Sequence, residues 1–125
     1  MQAPAAHTLI KVRLGPKYAR DLEQLSRTHP SLIEDVRKVV DETIKPAVTK
    51  DPIEPHKQNG GTPIVQGTLH IRVPDGGSGK SGGFRLLYHW NRHTLEITLL
   101  RIDLRKNVAA WPRPVVLELL KAAQK

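Results

Sequence analysis

Residues 68–105 read TLHIRVPDGGSGKSGGFRLLYHWNRHTLEITLLRIDLR, and this stretch decides the fold. Apolar and polar residues alternate in three runs, which predicts strands over Thr68 to Val73, Phe84 to Trp90 and His93 to Leu104. A glycine-rich segment separates the first two runs, and Asn91-Arg92 separates the last two at the spacing of a hairpin turn. The stretch therefore predicts three strands of one sheet, the last two joined as a hairpin.

Alternation gives each predicted strand an apolar face and a polar face, because successive side chains of a strand point in opposite directions. A two-residue turn would pair Phe84 with Leu99 and Leu86 with Ile97 on the apolar face. The opposite face would then carry His70, Arg72, Arg85, His89, Glu96 and Thr98. Arginines that share one face repel each other unless an anion joins them. The pattern therefore favours a phosphate site over a solvated face whose charge Glu96 offsets.

The chain before this stretch predicts one strand and two helices. Alternation over Thr8 to Leu14 indicates a half-buried strand, and apolar residues at helical spacing follow from Pro16. Ser31 with Glu34 three residues later fits a capping box at the start of the second helix. That helix is expected to end at Pro46.

The remaining segments complete a small α+β domain. Lys45 to Gly67 is rich in turn formers and predicts a long connection, in which Ile64-Val65 could form a short strand. Apolar residues at helical spacing after Pro112-Arg113-Pro114 predict a C-terminal helix.

Composition restricts the class of protein. The 125 residues suit a single domain over 1–125, and the formal charge of +8 favours an anionic partner, either nucleic acid or an acidic protein. The chain has no cysteine, which excludes disulfide scaffolds and thiol nucleophiles. Residues 1–7 show no secretory pattern, and no apolar run approaches the ~20 residues that span a bilayer, so we expect a cytoplasmic protein without membrane contact.

Two common sites can be excluded from the motifs. Gly79-Lys80-Ser81 resembles the end of a nucleotide-binding P-loop, but Pro74 stands where the first glycine is required and a strand follows instead of a helix. Gly82-Gly83 instead permits either close approach of a ligand to the backbone or a flexible hairpin tip. The six histidines have no metal-ligand spacing, so we expect no metal and no other cofactor.

The run Gly79-Lys80-Ser81-Gly82-Gly83-Phe84-Arg85-Leu86-Leu87-Tyr88, with Ile71-Arg72-Val73 before it and Leu99-Leu100-Arg101-Ile102 after it, resembles toxins of the RelE/ParE superfamily of type II toxin–antitoxin systems. It is nearest to the RelE-like and HigB-like ribonucleases, and the element order is similar from Thr8 to Trp111. The resemblance implies a largely antiparallel sheet with a helical hairpin on one face and a concave basic face that holds messenger RNA on the ribosome. It also implies an acidic antitoxin as partner.

The resemblance further implies a metal-independent cleavage in which a ribose 2′-hydroxyl attacks the adjacent phosphate. It places the central phosphate-binding arginine at Arg85, two basic strand positions at His70 and Arg72, and a further cation at Arg105. His70 is the candidate base, because imidazole titrates near neutrality, and the acid is unassigned. The RNA-binding candidates are Lys80, His89 and Trp111. The indole of Trp111 would either stack on a base or pack in the core.

Three features leave other functions open. Strict alternation places Arg105 on the apolar side with Leu99, unless a bulge interrupts the last strand near Asp103. His70 and Trp111 stand where the RelE-like enzymes often have lysine and tyrosine. ParE-like toxins share the fold but bind DNA gyrase without cleaving RNA, and fold alone does not fix function. A basic nucleic-acid-binding module without catalysis is the remaining alternative.

Overall fold

The computed structural model describes residues 9–58, 63–75 and 82–124. Within them a four-stranded sheet is formed by β1 (Lys11–Leu14), β2 (Thr68–Val73), β3 (Phe84–Asn91) and β4 (Glu96–Leu104), in the order β1-β4-β3-β2. β1 runs parallel to β4, and the other neighbouring strands are antiparallel. The predicted α+β class with a largely antiparallel sheet is confirmed.

Helices α1 (Pro16–Ser26) and α2 (Leu32–Val39) form the predicted hairpin against one face of the sheet. Their apolar stripes, which include Tyr18 and Val36, pack with Phe84 and other residues of β2, β3 and β4 in the main hydrophobic core. None of the helices in the described part of the chain is long and apolar enough to cross a membrane. The burial of one sheet face by amphipathic helices follows directly from the periodicity of the sequence.

The predicted capping box at the start of α2 is wrong. The hydroxyl of Ser31 donates to Asp35 Oδ2 at 3.1 Å and makes no hydrogen bond to a helix N–H. The carboxylate of Glu34 pairs with Arg37 on the exposed side of the helix. Ser31 itself has helical backbone angles, whereas a capping box requires an extended N-cap residue.

Pro46 does not end the second helix. A π-helical turn over Val40–Ile44 follows α2, and α3 (Lys45–Lys50) continues the helical path with Pro46 as its second residue. Proline has no N–H to donate, and its ring crowds the carbonyl four residues earlier. The wider π turn immediately before it relieves that crowding, which periodicity alone does not reveal.

The predicted connection after Lys45 is consequently shorter than expected. It contains α3 and a 3₁₀ turn over Pro55–Gln58. Ile64 and Val65 form no strand; they belong to a turn in which Val65 N–H donates to Thr68 Oγ1 at 2.8 Å.

The turn between β3 and β4 contains four residues, not two. It spans residues 92–95, and Asn91 Oδ1 accepts hydrogen bonds from two N–H groups of the turn at 2.9 and 3.2 Å. An asparagine that caps its own turn in this way stabilises a longer loop than the hairpin spacing suggested. This longer turn, together with one extra residue in β4, places Phe84 opposite Leu104 and not Leu99, so the predicted register is wrong.

β4 has one more residue than β3 in the paired region. The pairing shifts between Leu87, which lies opposite Arg101, and Tyr88, which lies opposite Leu99. Leu100 is therefore the extra residue of a β-bulge. Every residue of β4 after the bulge faces the side opposite to the one that unbroken alternation predicts. The interruption comes earlier in the strand than the position near Asp103 that the sequence suggested.

Helix α4 (Arg113–Ala123) covers part of the second face of the sheet, the face predicted to be polar and exposed. A second hydrophobic cluster joins the sheet to this helix and contains Leu87, Leu100, Trp111, Val116, Leu119 and Ala123. Arg13 of β1 donates from Nη2 to the carbonyl of Ala123 at 3.1 Å and so fixes the end of the helix. The predicted C-terminal helix is present, and it narrows the exposed polar face.

Two neighbouring valines of α4 test this packing. Val116 is fully buried at 0% exposure, whereas Val115 is 39% exposed. We expect Val116→Ala to lower the free energy of unfolding by about 2 kcal/mol, because two buried methyl groups are lost and a cavity remains. Val115→Ala should change it by less than about 0.5 kcal/mol. Urea denaturation of both variants measures the difference, and equal effects would contradict the described docking of α4.

Candidate functional site

Three strands bring the four predicted catalytic residues to one side of the sheet. Arg72 of β2 lies directly opposite Arg85 of β3. His70 faces the same side, because it stands two residues from Arg72 on the same strand. The bulge returns the chain after β4 to this side as well, where the N–H of Arg105 donates to the carbonyl of Gly83 at 3.2 Å. We call His70, Arg72, Arg85 and Arg105 the arginine cluster.

A single backbone carbonyl lies between two of the guanidinium groups. Arg72 Nε and Arg105 Nη1 both donate to the carbonyl oxygen of Gly82, at 3.2 and 3.3 Å. Gly82 and Gly83 have φ angles of 76° and 82°, and a Cβ on Gly83 would lie 2.6 Å from the carbonyl oxygen of Val73. The close approach of this backbone to the cations therefore depends on glycine at both positions.

Arg85 lies at the centre of the cluster with part of its donor capacity unused. Its Nη1 is 2.9 Å from Nδ1 of His70, while its Nε is buried and has no hydrogen-bond partner among the described residues. A buried donor without a partner costs roughly 1–3 kcal/mol. In the described part of the chain, no carboxylate forms an ion pair with Arg72, Arg85 or Arg105. The cluster can therefore accept an anion.

Arg101 of β4 shows the contrasting arrangement. Its Nε donates to Asp21 Oδ2 of α1 at 2.6 Å, and the same oxygen accepts the N–H of Ile102 at 3.0 Å. The charge of Arg101 is therefore offset by a structural carboxylate. Position on the basic face does not by itself make an arginine available to a ligand.

His70 is neutral in this arrangement and carries its proton on Nε2. Guanidinium groups only donate, so Nδ1 must accept the hydrogen bond from Arg85. Partial burial, and secondarily the positive charge of Arg85, lower the pKa of His70 below its ordinary value. The lone pair that a general base needs is therefore already engaged by Arg85.

The three predicted RNA-binding residues have different surroundings. His89 lies at the other end of β3 against Gly67, and burial lowers the pKa of its imidazole. Trp111 is 6% exposed and packs in the second hydrophobic cluster, so its ring is not open for stacking in this structure. Lys80 lies outside the described residues.

Asp103 is the residue near the cluster that sequence reasoning did not place there. It lies opposite Arg85, and its Oδ1 accepts the N–H of Leu104 at 2.8 Å and Nδ2 of Asn107 at 3.4 Å. The two consecutive apolar residues before Arg101 are the only sequence signal for the bulge that turns Asp103 to this side. In the described ranges, no three His, Asp or Glu side chains come close enough to hold a metal ion.

Comparison with known proteins shows a similarity to a solved structure. No family model and no curated protein matches the chain. Among solved structures, the chain is similar to a chain of the toxin–antitoxin complex RelBE2 from Mycobacterium tuberculosis, with 23% sequence identity and a TM-score of 0.49. The match covers 77% of this chain and 98% of that one. Values of this size assign neither a family nor a function to this chain.

The coupling between Arg85 and His70 can be measured directly. Arg85→Gln removes the positive charge beside the imidazole, so we expect the pKa of His70 to rise toward its ordinary value. The pKa of His89 is lowered by burial alone and should stay unchanged in the same variant. An NMR titration of the histidine ring protons reports both values in one experiment. A His70 pKa that does not move, or a His89 pKa that moves equally, would refute the described contact.

Proposed function

We propose that this chain is the toxin of a type II toxin–antitoxin system, an endoribonuclease of the RelE/ParE superfamily that cleaves messenger RNA on the ribosome. The observation that carries the proposal is the donor Nε of Arg85, which is buried and unused among the described residues while two more arginines flank it. The residue run around Arg85 that resembles the RelE-like and HigB-like enzymes supports the same function.

The arginine cluster binds the scissile phosphate. Arginine presents a planar fork of donors that matches phosphate oxygens, and charge-assisted hydrogen bonds to phosphate are about twice as strong as neutral ones. Arg72 and Arg105 therefore exchange the carbonyl oxygen of Gly82 for phosphate oxygens, and Arg85 Nε gains a partner. Three cations around one phosphate stabilise the extra negative charge of the phosphorane without a bound metal.

His70 becomes available as the base only when Arg85 turns to the phosphate. Once Nη1 leaves Nδ1, that nitrogen accepts the proton of the ribose 2′-hydroxyl. The 2′-oxygen forms a bond to phosphorus, and the bond from phosphorus to the 5′-oxygen breaks. The 5′-oxygen takes a proton from a general acid, to which no residue is assigned. The products are a cyclic phosphate end and a 5′-hydroxyl end.

An acidic antitoxin is the partner that the charge of the chain favours. A formal charge of +8 on 125 residues attracts an acidic segment, which would cover the cations while the toxin is inactive. A short reading frame for an acidic protein next to this gene is the expected genetic arrangement.

Loss of Arg85 tests the proposed activity. We expect Arg85→Ala to reduce cleavage of messenger RNA on purified ribosomes by about a hundredfold or more, because a central transition-state contact is removed. Arg20→Ala is the matched control, since Arg20 is an exposed arginine of α1 outside the cluster. Primer extension on a translated messenger RNA measures the cleavage. Intact RNA with the wild-type protein, or equal cleavage by both variants, would contradict the proposal.

A basic RNA-binding module is a second candidate, and the engaged lone pair of His70 favours it. If Arg85 never releases Nδ1, the cluster binds phosphate without activating a hydroxyl. Such a protein would bind RNA with a steep salt dependence and leave it intact. His70→Gln separates the two functions: it abolishes cleavage by the enzyme, whereas binding by a non-catalytic module requires only the arginines.

A further inference from the structure

A groove follows the outer edge of β2, where no further strand pairs with it among the described residues, and starts at the arginine cluster. It is about 700 Å³ in volume and lies between β2 and the helical segment of residues 35–43, which contributes Asp35, Lys38 and Glu42 to its wall. Leu69 and Ile71, which face the core, line it together with His70 and Arg72, which face the opposite side. Side chains from the two faces of a sheet can line the same cavity only where the cavity lies along the edge of the sheet. β2 is the outermost of the described strands, so its edge provides such a place. We call this cavity the edge groove.

The edge groove continues into a second cavity at the far end of the strand. That cavity is about 560 Å³ in volume and lies between residues 52–56 and the end of β3 with its turn. His56 and Leu69 line both cavities, so the two form one path along β2. We call the second cavity the hairpin pocket.

The walls of the hairpin pocket are held in place by hydrogen bonds. Trp90 Nε1 donates to the carbonyl of Pro52 at 2.8 Å, which fixes the segment of residues 52–56 against β3. Asn91 Oδ1 accepts from the N–H of His93 at 2.9 Å and so fixes the turn on the other wall. The cavity is therefore formed before any ligand binds, as expected for a binding site.

The lining of the hairpin pocket suits a nucleobase better than a phosphate. Its apolar groups include Ile53 and three prolines, and its polar groups include the imidazoles of His56, His89 and His93. Flat apolar and imidazole surfaces stack on bases, and ring nitrogens and amides can hydrogen-bond to base edges. Arg92 and Glu54 contribute one cation and one carboxylate to the same lining, and Glu54 is paired with Lys57, so the pocket has no surplus of positive charge comparable to that of the arginine cluster. The cationic end and the base-binding end of the path thus have distinct chemistry.

We propose that the hairpin pocket binds a base of single-stranded RNA a few nucleotides away from the phosphate that occupies the arginine cluster, with the strand running along the edge groove. This inference rests on the proposed function, because it uses the cluster as the phosphate site. On β2, Arg72 lies opposite Arg85 of the arginine cluster, and Thr68 lies opposite His89 of the hairpin pocket. The arginine cluster and the hairpin pocket are therefore four residues apart along β2. Four residues of a strand span about 13 Å. At ~3.4 Å per stacked nucleotide, about four nucleotides bridge that distance, and fewer suffice when the strand is extended.

Binding of oligonucleotides to the intact protein tests this path. The probe is a fluorescent adenine hexanucleotide with 2′-O-methyl riboses, which the proposed reaction cannot cleave, and its partner is the same backbone with abasic residues. We expect the bases to improve the Kd of the wild-type protein about tenfold, the value of one stacked base. The double variant Ile53→Ala/His93→Ala should lose this base-dependent gain and keep its affinity for the abasic strand. Ile33→Ala is the control. Ile33 has an exposure of 58%, similar to the 70% of Ile53, but it lies outside both cavities.

The outcomes separate this inference from the proposed function. If the bases do not improve the Kd of the wild-type protein, or if the improvement persists in the double variant, the hairpin pocket is not a base-binding site. In that case a protein segment is the better candidate for the ligand of the groove. Arg85→Ala should weaken binding of both strands at low salt. If Arg85→Ala leaves both affinities unchanged, the phosphate site fails and the proposed function fails with it.

Discussion

One extra residue in β4 determines both the site and the second core. Leu100 has no partner of its own in β3, and its side chain is buried against α4 and Trp111. The same insertion reverses the alternation of the strand, so that Arg105 returns to the side of Arg85 instead of entering the main core. Without the bulge, either a charged residue would be buried or the strand would lose its core contacts. The packing of α4 and the convergence of the cations are therefore two consequences of one local feature.

The position of α4 also limits where a ligand can approach the cations. The helix covers the middle of the second sheet face, so an extended anionic strand cannot lie across the whole face in this structure. The cations remain accessible beside β2, where His70 and Arg72 line the edge groove. Arg72 and Arg105 both donate to the neutral carbonyl oxygen of Gly82, which the oxygens of an anionic ligand can replace as acceptors. The structure thus combines a covered sheet with an open edge.

The sequence predicted the element types and the members of the cluster better than it predicted their geometry. Alternation correctly assigned Arg72 and Arg85 to one face, because both precede any irregularity in their strands. The register of β4 could not be predicted, since Asn91 caps a longer turn and the bulge depends on the tertiary packing of Leu100. The helical path through Pro46 depends on a π turn that periodicity does not encode. Local sequence patterns thus predict which residues form strands. The register of the strands depends on the length of the turn after Asn91 and on the packing of Leu100 against α4.

The arginine cluster is the central claim, and its direct test is an NMR titration with a 2′-O-methyl dinucleotide. The signals of the Nε–H groups of Arg72, Arg85 and Arg105 should shift together and give one common Kd. The corresponding signals of Arg20 and Arg101 should stay in place, since the first lies outside the cluster and the second is paired with Asp21. The claim would be contradicted if the Nε–H signals of Arg72, Arg85 and Arg105 shifted with different Kd values. It would also be contradicted if the signals of Arg20 and Arg101 shifted as much as those three.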